Sequence, residues 1–500
     1  MAARVRRAGS GGATDEASER IPLTSPGPRS SDPVVRWKRE ARSRVLLAFA
    51  FASMAGCLFG YDIGSTASVV TADQALADFD IPDNSWQQGA LVSCSLYGAL
   101  ASSLSLFALG EVIGRRQEIL VANAMYVLGS LGSVLPPAHT SYGVGVIIAS
   151  RFAYGTGIGL TMHSAPAYIA ETAPSDLRGL LIAMKEAAIV LGILLGYLAG
   201  SVFSYPGGWR VIWGSASLLA VVSFAGMLHQ PESPRWLAGR DVARAGESLR
   251  HFRAGEDPEE ELEGIVQAAK ASSSSQTVSG KLAQVWEVRR AFFIGGGLLM
   301  LQQVSGQPAV LYFAPTIFQN AGLGAQSSKV ASVLVGVVKL LSTVVASLKV
   351  DSFGRVPLLL CGVGLMFASL AALSLTTWLW TAQEGSRLVI FELMALVTAY
   401  QIGFGPISWL ILTEVCPLRV RGNMVGLGVS VNFAFNVLAA QTLPVLTTAL
   451  GMPGLFALYA SVCLLSLAFI KAVVPETKGR TLEEIEDLLG LGTRDEPGAP

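Results

Sequence analysis

Two carboxylates stand inside long apolar runs of the sequence. Asp62 lies about seventeen residues into the first apolar run, near 45–71. Glu186 directly follows Lys185 in the fifth run, near 179–203, roughly 12 Å beyond Arg178 at about 1.5 Å per residue of helix. A charged side chain at the centre of a bilayer costs about 2.5–3.5 kcal/mol, so each carboxylate needs a partner or a purpose. The chemistry open to it is reversible protonation, hydrogen bonding to a polar solute, or a salt bridge that holds helices together.

A second group of candidates carries side-chain amides and a phenol. Gln302 and Gln303 begin a motif in the seventh run, Tyr312 follows about three turns later, and Asn432 and Asn436 share one helix face. Amides and hydroxyls can replace the water around a polyhydroxylated solute, while an aromatic face covers its C–H surface. The alternative for each amide is a hydrogen bond between helices of one bundle.

These candidates lie in a strongly apolar chain. Of its 500 residues, 51% are hydrophobic and 14% are charged, with 53 glycines and a formal net charge of +0. Soluble proteins carry about 25% charged residues, whereas membrane helices favour small residues that let backbones approach. The balanced charge excludes the basic field of a nucleic-acid-binding protein. The five cysteines show no Cys-x-x-Cys or Cys/His spacing, so no disulfide framework, metal site or cofactor is expected.

Twelve apolar runs are long enough to cross about 30 Å of hydrocarbon, six on each side of a polar segment. They are predicted near 45–71, 87–109, 117–137, 143–169, 179–203, 209–229, 290–319, 328–349, 356–380, 388–413, 422–448 and 454–474. The sequence therefore predicts an all-α membrane protein with twelve transmembrane helices in two six-helix halves, 45–229 and 290–474. The remaining segments are predicted as a disordered N-terminus (1–44), a linker with short helices (230–289) and a tail (475–500).

Lysine and arginine are concentrated in one set of connections, and the opposite set has only Arg210, Lys329 and Arg387. The positive-inside rule therefore predicts that both termini are cytoplasmic. An arginine-rich start at residues 4–7 resembles an organelle transit peptide, but acidic residues at 15, 16 and 19 argue against one. The plasma membrane is therefore favoured over a plastid envelope or a vacuole.

Three short features of the first half recur in the second, about 240 residues later. They are Gly114-Arg115 and Gly354-Arg355, Glu171…Arg178 and Glu414…Arg421, and Pro231-Glu232 and Pro475-Glu476. Two parallel repeats related by an axis along the membrane normal are typical of secondary transporters, which hold their solute between the repeats.

The motifs resemble those of the sugar porter family of the major facilitator superfamily, over about residues 45–487. The resemblance is carried by FGYDIG (59–64), GRR (114–116), SRFAYGTGIG (150–159), YIAETAPSDLRG (168–179), PESPRWL (231–237), QQVSGQP (302–308), DSFGR (351–355), GPISWLILTEVCPLRVRG (405–422) and PETKGRTLEE (475–484). Lys185-Glu186 and GQPAVLYFA (306–314) are similar to the D-xylose–proton symporter-like subgroup, which includes plastid-type members. The resemblance implies the major facilitator fold.

The resemblance also implies a proton-coupling pair. An Asp after FGY is found in proton-coupled members, and Asp62 matches it, while Arg151 matches its partner at the start of the fourth span. Loss of the proton would let Asp62 pair with Arg151, and its return would break the pair. The alternative is a permanent salt bridge that only locks the helices.

By resemblance, Gln302, Gln303, Trp409 and Asn432 contact sugar, and Phe59 lines the wall of the first half. This sequence departs from the family at two places within that site. Pro308 replaces an Asn that contacts sugar, so it loses a donor and could act as a hinge in the seventh span.

The second departure is Glu186, which replaces the family's sugar-binding Gln. Glu186 could accept hydrogen bonds from two sugar hydroxyls or serve as a second proton site. The alternative is a local pair with Lys185 or with another buried base.

Charged motifs at the cytoplasmic side are predicted to form a gate whose ion pairs join the two halves and separate when the gate opens. Single surface pairs contribute only about 0–1 kcal/mol, so a network of weak pairs suits a gate that must open repeatedly. The alternative is control of topology by positive charge alone. The predicted gate residues are Arg115, Arg116, Glu171, Arg178, Asp351, Arg355, Glu414 and Arg421.

Together these observations predict a proton-coupled monosaccharide symporter, functional as a monomer in the lipid bilayer, with a sugar and protons as its partners. A facilitative sugar uniporter is the first alternative. A sugar-sensing receptor without net transport is the second, and the short tail argues against it. No nucleophile–base pair or phosphate loop indicates an enzyme.

Overall fold

The computed structural model describes residues 33–490, apart from 72, 73, 110, 111, 138, 141, 254–257, 273–276, 381, 418 and 419. The regular elements in this part of the chain are α-helices. The first half contains α1 (Pro33–Val69), α2 (Ala75–Asp78), α3 (Trp86–Leu109), α4 (Arg115–Val134), α5 (Gly143–Thr172), α6 (Ser175–Val202) and α7 (Trp209–Leu228). The linker contains α8 (Pro234–Ala238), α9 (Val242–Phe252), α10 (Glu259–Ser272) and α11 (Val278–Glu287).

The second half is built from helices that are more often interrupted. It contains α12 (Arg289–Val304), α13 (Gln307–Tyr312), α14 (Ala314–Asn320), α15 (Ala325–Phe353), α16 (Arg355–Leu379), α17 (Ala382–Ile402), α18 (Phe404–Glu414) and α19 (Arg421–Val473), and α20 (Leu482–Leu488) follows in the tail. We call the end of the molecule that carries α8–α11 the linker end, and the end that carries α2 the opposite end.

The predicted spans map onto these helices. Among the described residues, nine segments are long and apolar enough to cross a bilayer. One of them, α19, covers the last two predicted spans, because its 53 residues continue through a non-helical kink at Gly451. The third predicted span is α4, which begins with charged residues, and the seventh is divided among α12, α13 and α14. The prediction of twelve transmembrane helices in two six-helix halves is thus confirmed.

The start of α1 differs from the prediction. Residues 33–44 were predicted to belong to the disordered N-terminus, but they form the beginning of α1, and residues 1–32 lie outside the described part. The prediction was wrong for this segment because Arg, Lys, Glu and Ala are good helix formers. A helix nucleated in the first span extends through such residues at little cost.

Two spans of the second half are broken near the candidate amides. The seventh span breaks after Val304, where Gly306 adopts a left-handed φ of 86° and Pro308 occupies the first turn of α13. Proline fits there because the first N–H groups of a helix have no intrahelical partner. The tenth span breaks at Gly403, which has φ −106° and ψ −97°.

Glycines bring α1 and α6 into backbone contact. A Cβ atom at Gly60 would lie 1.8 Å from the carbonyl oxygen of Ile189, and one at Gly192 would lie 2.0 Å from that of Cys57. Any larger side chain at either position would force the helices apart. This close packing explains part of the high glycine content and fixes the position of Asp62 on α1.

Candidate functional site

Asp62 and Arg151 form a buried ion pair between α1 and α5. Their side chains are 0% and 2% exposed, and Arg151 Nη2 contacts Asp62 Oδ1. Ser95 Oγ donates to Asp62 Oδ2 at 2.7 Å, and Thr66 Oγ1 donates to Asp62 Oδ1 at 3.3 Å. Arg151 Nη2 also donates to Thr66 Oγ1 at 2.9 Å. The carboxylate is therefore held by three neighbours from three helices.

The guanidinium of Arg151 is enclosed by aromatic rings. Its Cζ lies 4.9 Å from the ring centroid of Tyr154 and 5.0 Å from that of Trp213. Cation–π contacts of this kind stabilise a desolvated cation by up to about 2 kcal/mol. Arg151 can therefore stay buried when its contact with the carboxylate changes. The sequence motif indicated the pair but not this aromatic enclosure.

Predicted amides of the second half converge at the break in the tenth span. Gln302 Nε2 donates to the backbone oxygens of Phe404 and Gly405, at 2.7 and 3.3 Å. Gln302 Oε1 accepts from Asn432 Nδ2 at 3.2 Å and lies 3.5 Å from Gln303 Nε2. The seventh, tenth and eleventh spans are thus linked through one side chain.

Several buried polar atoms of the second half have no hydrogen-bond partner within the described protein, and among them are Gln303 Oε1, Gln307 Nε2, Tyr312 OH and Asn436 Oδ1. Buried polar groups are normally paired, so unpaired donors and acceptors of this kind are suited to a ligand with many hydroxyls. Gln307 was missed by the sequence reasoning. Its position inside the QQVSGQP motif was the signal that could have found it.

Both halves contribute aromatic side chains to the candidate site. Phe59 of the first half and Phe433 of the second make an edge-on contact, with ring centroids 6.1 Å apart. Trp409 is partly buried and packs against the apolar core from α18, directly after the tenth-span break. These rings provide apolar surface from both halves next to the amides.

Glu186 lies among charged groups. Its Oε1 atom is 2.8 Å from Lys185 Nζ, and its side chain is 47% exposed, whereas that of Lys185 is 8% exposed. A second lysine, Lys339 of α15, is buried in the eighth span, where its Nζ atom donates to Gln401 Oε1 at 2.8 Å. Sequence reasoning missed Lys339, although a lysine inside the apolar stretch 325–346 was a visible signal.

At the linker end of the first half, predicted gate residues are in contact. Arg115 Nε lies 3.7 Å from Glu171 Oε1, and the Ser233 hydroxyl donates to the same carboxylate. Arg116 donates to two backbone carbonyl groups at the end of α7, at 3.0 and 2.8 Å. The side chain of Arg178 lies outside the described residues.

The second half repeats this arrangement. Arg355 Nη2 lies 2.9 Å from Glu414 Oε1, and Thr477 Oγ1 donates to Glu414 Oε2 at 2.5 Å. Arg421 donates to a backbone carbonyl of the loop before α19, at 3.2 Å. The side chain of Asp351 is not among those described. The two ion pairs, Arg115–Glu171 and Arg355–Glu414, each join residues of one half.

At the opposite end, by contrast, hydrogen bonds join the two halves. Ser93 Oγ donates to Gln441 Oε1 at 2.6 Å, and Gln441 Nε2 donates to the backbone oxygen of Trp86 at 3.0 Å. Lys329 Nζ donates to Ser204 Oγ at 2.8 Å. The two halves are therefore in polar contact at the opposite end, through residues that the sequence reasoning did not select.

Comparison with known proteins identifies this architecture. The profile of the family described as "Sugar (and other) transporter" matches residues 48–489. "D-xylose-proton symporter-like 3, chloroplastic" of Arabidopsis thaliana is 41% identical over 469 residues, covering 89% of this chain and 82% of the relative. "D-xylose-proton symporter-like 2" of the same plant is 39% identical over 462 residues, covering 88% and 90%.

A solved structure shows the same fold. The xylose transporter XylE from E. coli, in its inward-open conformation, superposes with a TM-score of 0.76 at 25% identity, covering 89% of this chain and 99% of that one. The fold is that of the major facilitator superfamily, a class of multi-pass membrane carriers. The chain belongs to the sugar porter family of that superfamily, as its motifs predicted, and is a sugar transporter rather than an enzyme.

Proposed function

We propose that this protein is a proton-coupled monosaccharide symporter that works by alternating access. The observation that carries the proposal is the fully buried Asp62, which is paired with Arg151 at membrane depth. If the pair only held helices together, apolar residues in both positions would stabilise the protein as well or better. Reversible protonation of Asp62 in each transport cycle gives a physical reason for a carboxylate at this depth.

The proton cycle follows from the contacts of the pair. When Asp62 takes up a proton, its attraction for Arg151 is lost, and the guanidinium keeps its contacts with Thr66, Tyr154 and Trp213. Release of the proton restores the pair and draws α1 towards α5. Two such packings of the first half form a two-state element that a proton gradient can bias. The membrane potential adds about 2.3 kcal/mol per charge per 100 mV.

The sugar would bind between the halves. The unpartnered atoms of Gln303, Gln307, Tyr312 and Asn436 are suited to hydroxyl groups, and Phe59 and Trp409 provide apolar surface. The names of the two Arabidopsis relatives support a sugar–proton symporter. The number of unpartnered polar atoms fits the hydroxyl groups of a pentose or a hexose. Pro308 lies in the first turn of α13 and has no N–H to donate, so Gln307 is the neighbouring amide that can replace the missing contact.

Alternating access requires one end to close while the other opens. In this proposal the hydrogen bonds of Gln441 and Lys329 close the opposite end, and the predicted gate residues of the linker end pair across the halves in the alternate state. The distribution of Lys and Arg supports cytoplasmic termini. We further propose a plasma-membrane location and a monomeric functional unit.

The test is uptake of labelled xylose and glucose into proteoliposomes under an imposed pH gradient. The parent protein should accumulate sugar above equilibrium, and a protonophore should abolish the accumulation. Asp62→Asn should lose accumulation but keep sugar exchange, whereas Asp80→Asn, an exposed carboxylate of the opposite end, should match the parent. Accumulation that survives the protonophore would contradict proton symport.

The second candidate is a facilitative uniporter. The ion pair and the two hydroxyl donors that hold the Asp62 carboxylate favour it, because a permanent structural bridge would be held in the same way. The two functions differ in one measurement. A uniporter equilibrates sugar across the liposome membrane at every pH gradient, and Asp62→Asn then changes its rate or its stability but not its final sugar level.

A further inference from the structure

Glu118 of α4 and His163 of α5 form a second ionisable pair in the first half, which the proposed proton cycle does not use. Glu118 is 0% exposed, and its Oε2 atom lies 2.9 Å from His163 Nδ1. The side chain of His163 is 28% exposed, so the histidine is the accessible member of the pair. Ionisable residues within membrane spans are costly, and chains of Asp, Glu and His there are typical of proton pathways. The pair is therefore a candidate proton site.

Glu118 also contacts an arginine of the predicted gate. Its Oε1 atom lies 4.0 Å from Arg115 Nη1, and Arg115 Nε lies 3.7 Å from Glu171 Oε1. Among these residues and His163, two carboxylates and one guanidinium leave one negative charge while the histidine is neutral. A proton on His163 balances that charge, so the four residues together are suited to bind one proton.

The helices packed against α4 and α5 bring further ionisable groups. Arg115 and His163 are the charged or titratable partners within 4.0 Å of Glu118 in the described part of the chain. No residue of α3 between 86 and 109 is charged, and the side chains of Asp176 and Arg178 in α6 are not among those described. The other such groups towards the linker end are Arg44 and Cys57 of α1, Arg116 and Tyr126 of α4, Tyr154 and Tyr168 of α5, Lys185 and Glu186 of α6, His229 after α7, Glu232 and Arg235 at α8, Arg253 after α9 and Arg421 of α19.

Contacts between α4 and α5 extend from this pair towards Arg151. The hydroxyl oxygen of Tyr126 in α4 lies 3.3 Å from Thr161 Oγ1 in α5. The centroid of the Tyr126 ring is 4.7 Å from that of Tyr154, and the Tyr154 ring stacks on the Arg151 guanidinium. Arg151 and His163 are about 18 Å apart along α5, at about 1.5 Å per residue. Polar groups thus occur along the interface between the two sites.

Asn123 lies between Glu118 and Tyr126 along α4 and is fully buried. Neither its Nδ2 atom nor its Oδ1 atom has a hydrogen-bond partner within the described protein. Buried polar groups are normally paired, and ordered water is a common partner. Asn123 is therefore suited to hold water inside the first half, on the same helix as Glu118.

We propose that the Glu118–His163 pair is a second proton-binding site, which passes protons between Asp62 and the solution at the linker end. An ionised Glu118 can only accept, so His163 Nδ1–H donates to it and Nε2 is the nitrogen that takes the proton. A proton released by Asp62 binds to Nε2, and Glu118 stays ionised. His163 then releases the proton to water and becomes neutral again. The inference rests on the proposed function, because it assumes that Asp62 releases a proton in each cycle.

The first test needs no sugar and follows the histidine ring signals of the purified protein by NMR. The chain has four histidines, so the signal that disappears in His163→Gln belongs to His163. This signal should titrate between about pH 5 and 8. Its midpoint should change by about one pH unit in Glu118→Gln, because the neighbouring negative charge is removed.

The second test compares two modes of sugar transport in proteoliposomes. Net uptake driven by a pH gradient requires release of the proton, whereas counterflow exchanges sugar for sugar without it. Glu118→Gln and His163→Gln should each lower net uptake about tenfold or more, and counterflow should stay within about twofold of the parent. Net uptake by His163→Gln should also lose its dependence on the pH at the linker end.

The matched control is Glu247→Gln, which changes an exposed carboxylate of α9 at the linker end and should match the parent in both tests. If Glu118→Gln does not fold, His163→Gln carries the comparison, because it changes the more exposed member of the pair and keeps a side-chain amide that can contact Glu118.

Parental net uptake by His163→Gln, with an unchanged dependence on pH, would overturn the proposal. A His163 signal that does not titrate between about pH 5 and 8 would overturn it as well. If the parent protein shows no accumulation that a protonophore abolishes, the proposed function is contradicted, and the passage of protons from Asp62 falls with it. A titrating His163 signal in that same protein would still support the proton site itself.

Discussion

Glu476 accepts hydrogen bonds through one carboxylate oxygen from the backbone N–H of Arg355, at 2.9 Å, and through the other from the next N–H of α16. Glu232 makes the same contact in the first half, where it accepts from the backbone N–H of Arg116 at 2.8 Å. Each carboxylate thus caps the first turn of a transmembrane helix, where free N–H groups and the helix dipole favour a negative charge. The two PE motifs of the repeat are therefore helix caps that tie the linker and the tail to the bundle.

The cap in the second half predicts a pH-dependent contribution to stability. Burial raises the pKa of Glu476, but hydrogen bonds from backbone N–H groups outweigh burial, and the pKa lies below its ordinary value. A carboxyl group with a lowered pKa in the folded state stabilises the fold above its unfolded pKa of about 4.3. That contribution is lost as the pH falls through the folded-state pKa.

Glu476→Gln should therefore lower the free energy of unfolding by about 1 kcal/mol at pH 7. The difference from the parent should shrink as the pH falls below about 4, which thermal unfolding in detergent followed by tryptophan fluorescence can measure. Asp487→Asn, on the exposed face of α20, is the control and should leave stability unchanged. A difference that stays constant down to pH 3 would show that the charge of Glu476 is not the cause.

At the opposite end, a glycine of α3 lies against the backbone of the other half. A Cβ atom at Gly89 would lie 2.4 Å from the carbonyl oxygen of Gln441 in the other half. Gly89→Val should hold α3 and α19 apart at a cost of about 1–3 kcal/mol, which reduces the closed population about 5- to 150-fold. Sugar uptake should fall accordingly, while equilibrium binding of sugar in detergent is retained.

The matched control is Gly145→Val in α5, where a Cβ atom would meet nothing within 4 Å. It should retain the parental uptake rate. Parental uptake by Gly89→Val would mean that this contact between the halves does not form during transport.

The unpartnered polar atoms predict a moderate effect on affinity. Gln303→Ala and Asn436→Ala should each raise the KM for sugar about 2- to 10-fold, the value of one neutral hydrogen bond, with little change in the maximal rate. Gln319→Ala, a partly exposed amide at the end of the same seventh span, should leave the KM unchanged. Equal effects of all three changes would indicate a general loss of stability rather than sugar contacts.

The geometry of the Arg151 guanidinium predicts that a positive charge at this position is not sufficient for uphill accumulation of sugar. Lysine has no planar group that can contact Asp62 and Thr66 while it stacks on Tyr154. Arg151→Lys should reduce uphill accumulation about tenfold, equivalent to about 1.4 kcal/mol, while the protein remains folded. Accumulation ratios under an imposed pH gradient measure this effect.

The control for Arg151→Lys is Arg210→Lys, because Arg210 also stacks on a tryptophan, Trp209, at 4.2 Å. Arg210 lies at the opposite end, outside the proposed coupling pair, and its replacement should leave accumulation at the parental level. If both variants accumulate sugar as the parent does, the planar group of Arg151 has no part in coupling.

Much of this protein could be predicted from local sequence. Hydrophobic runs of about 20 residues have one stable arrangement in a bilayer, because a helix satisfies its own backbone hydrogen bonds. The repeat at about 240 residues predicted the two halves, and Asp62 was conspicuous because a charge at that depth is costly. The motifs also indicated which amides to examine, although they did not indicate Gln307.

Other features depended on contacts between residues distant in the sequence. Ser93 and Gln441 lie on different halves, and neither motif nor periodicity indicates that α3 and α19 bring their side chains into a hydrogen bond. The contact between Gly89 and Gln441 likewise depends on how two helices cross. A single sequence specifies spans because burial in lipid is decided residue by residue. Which side chains meet was decided only by tertiary packing, because that depends on the rotation and crossing of whole helices.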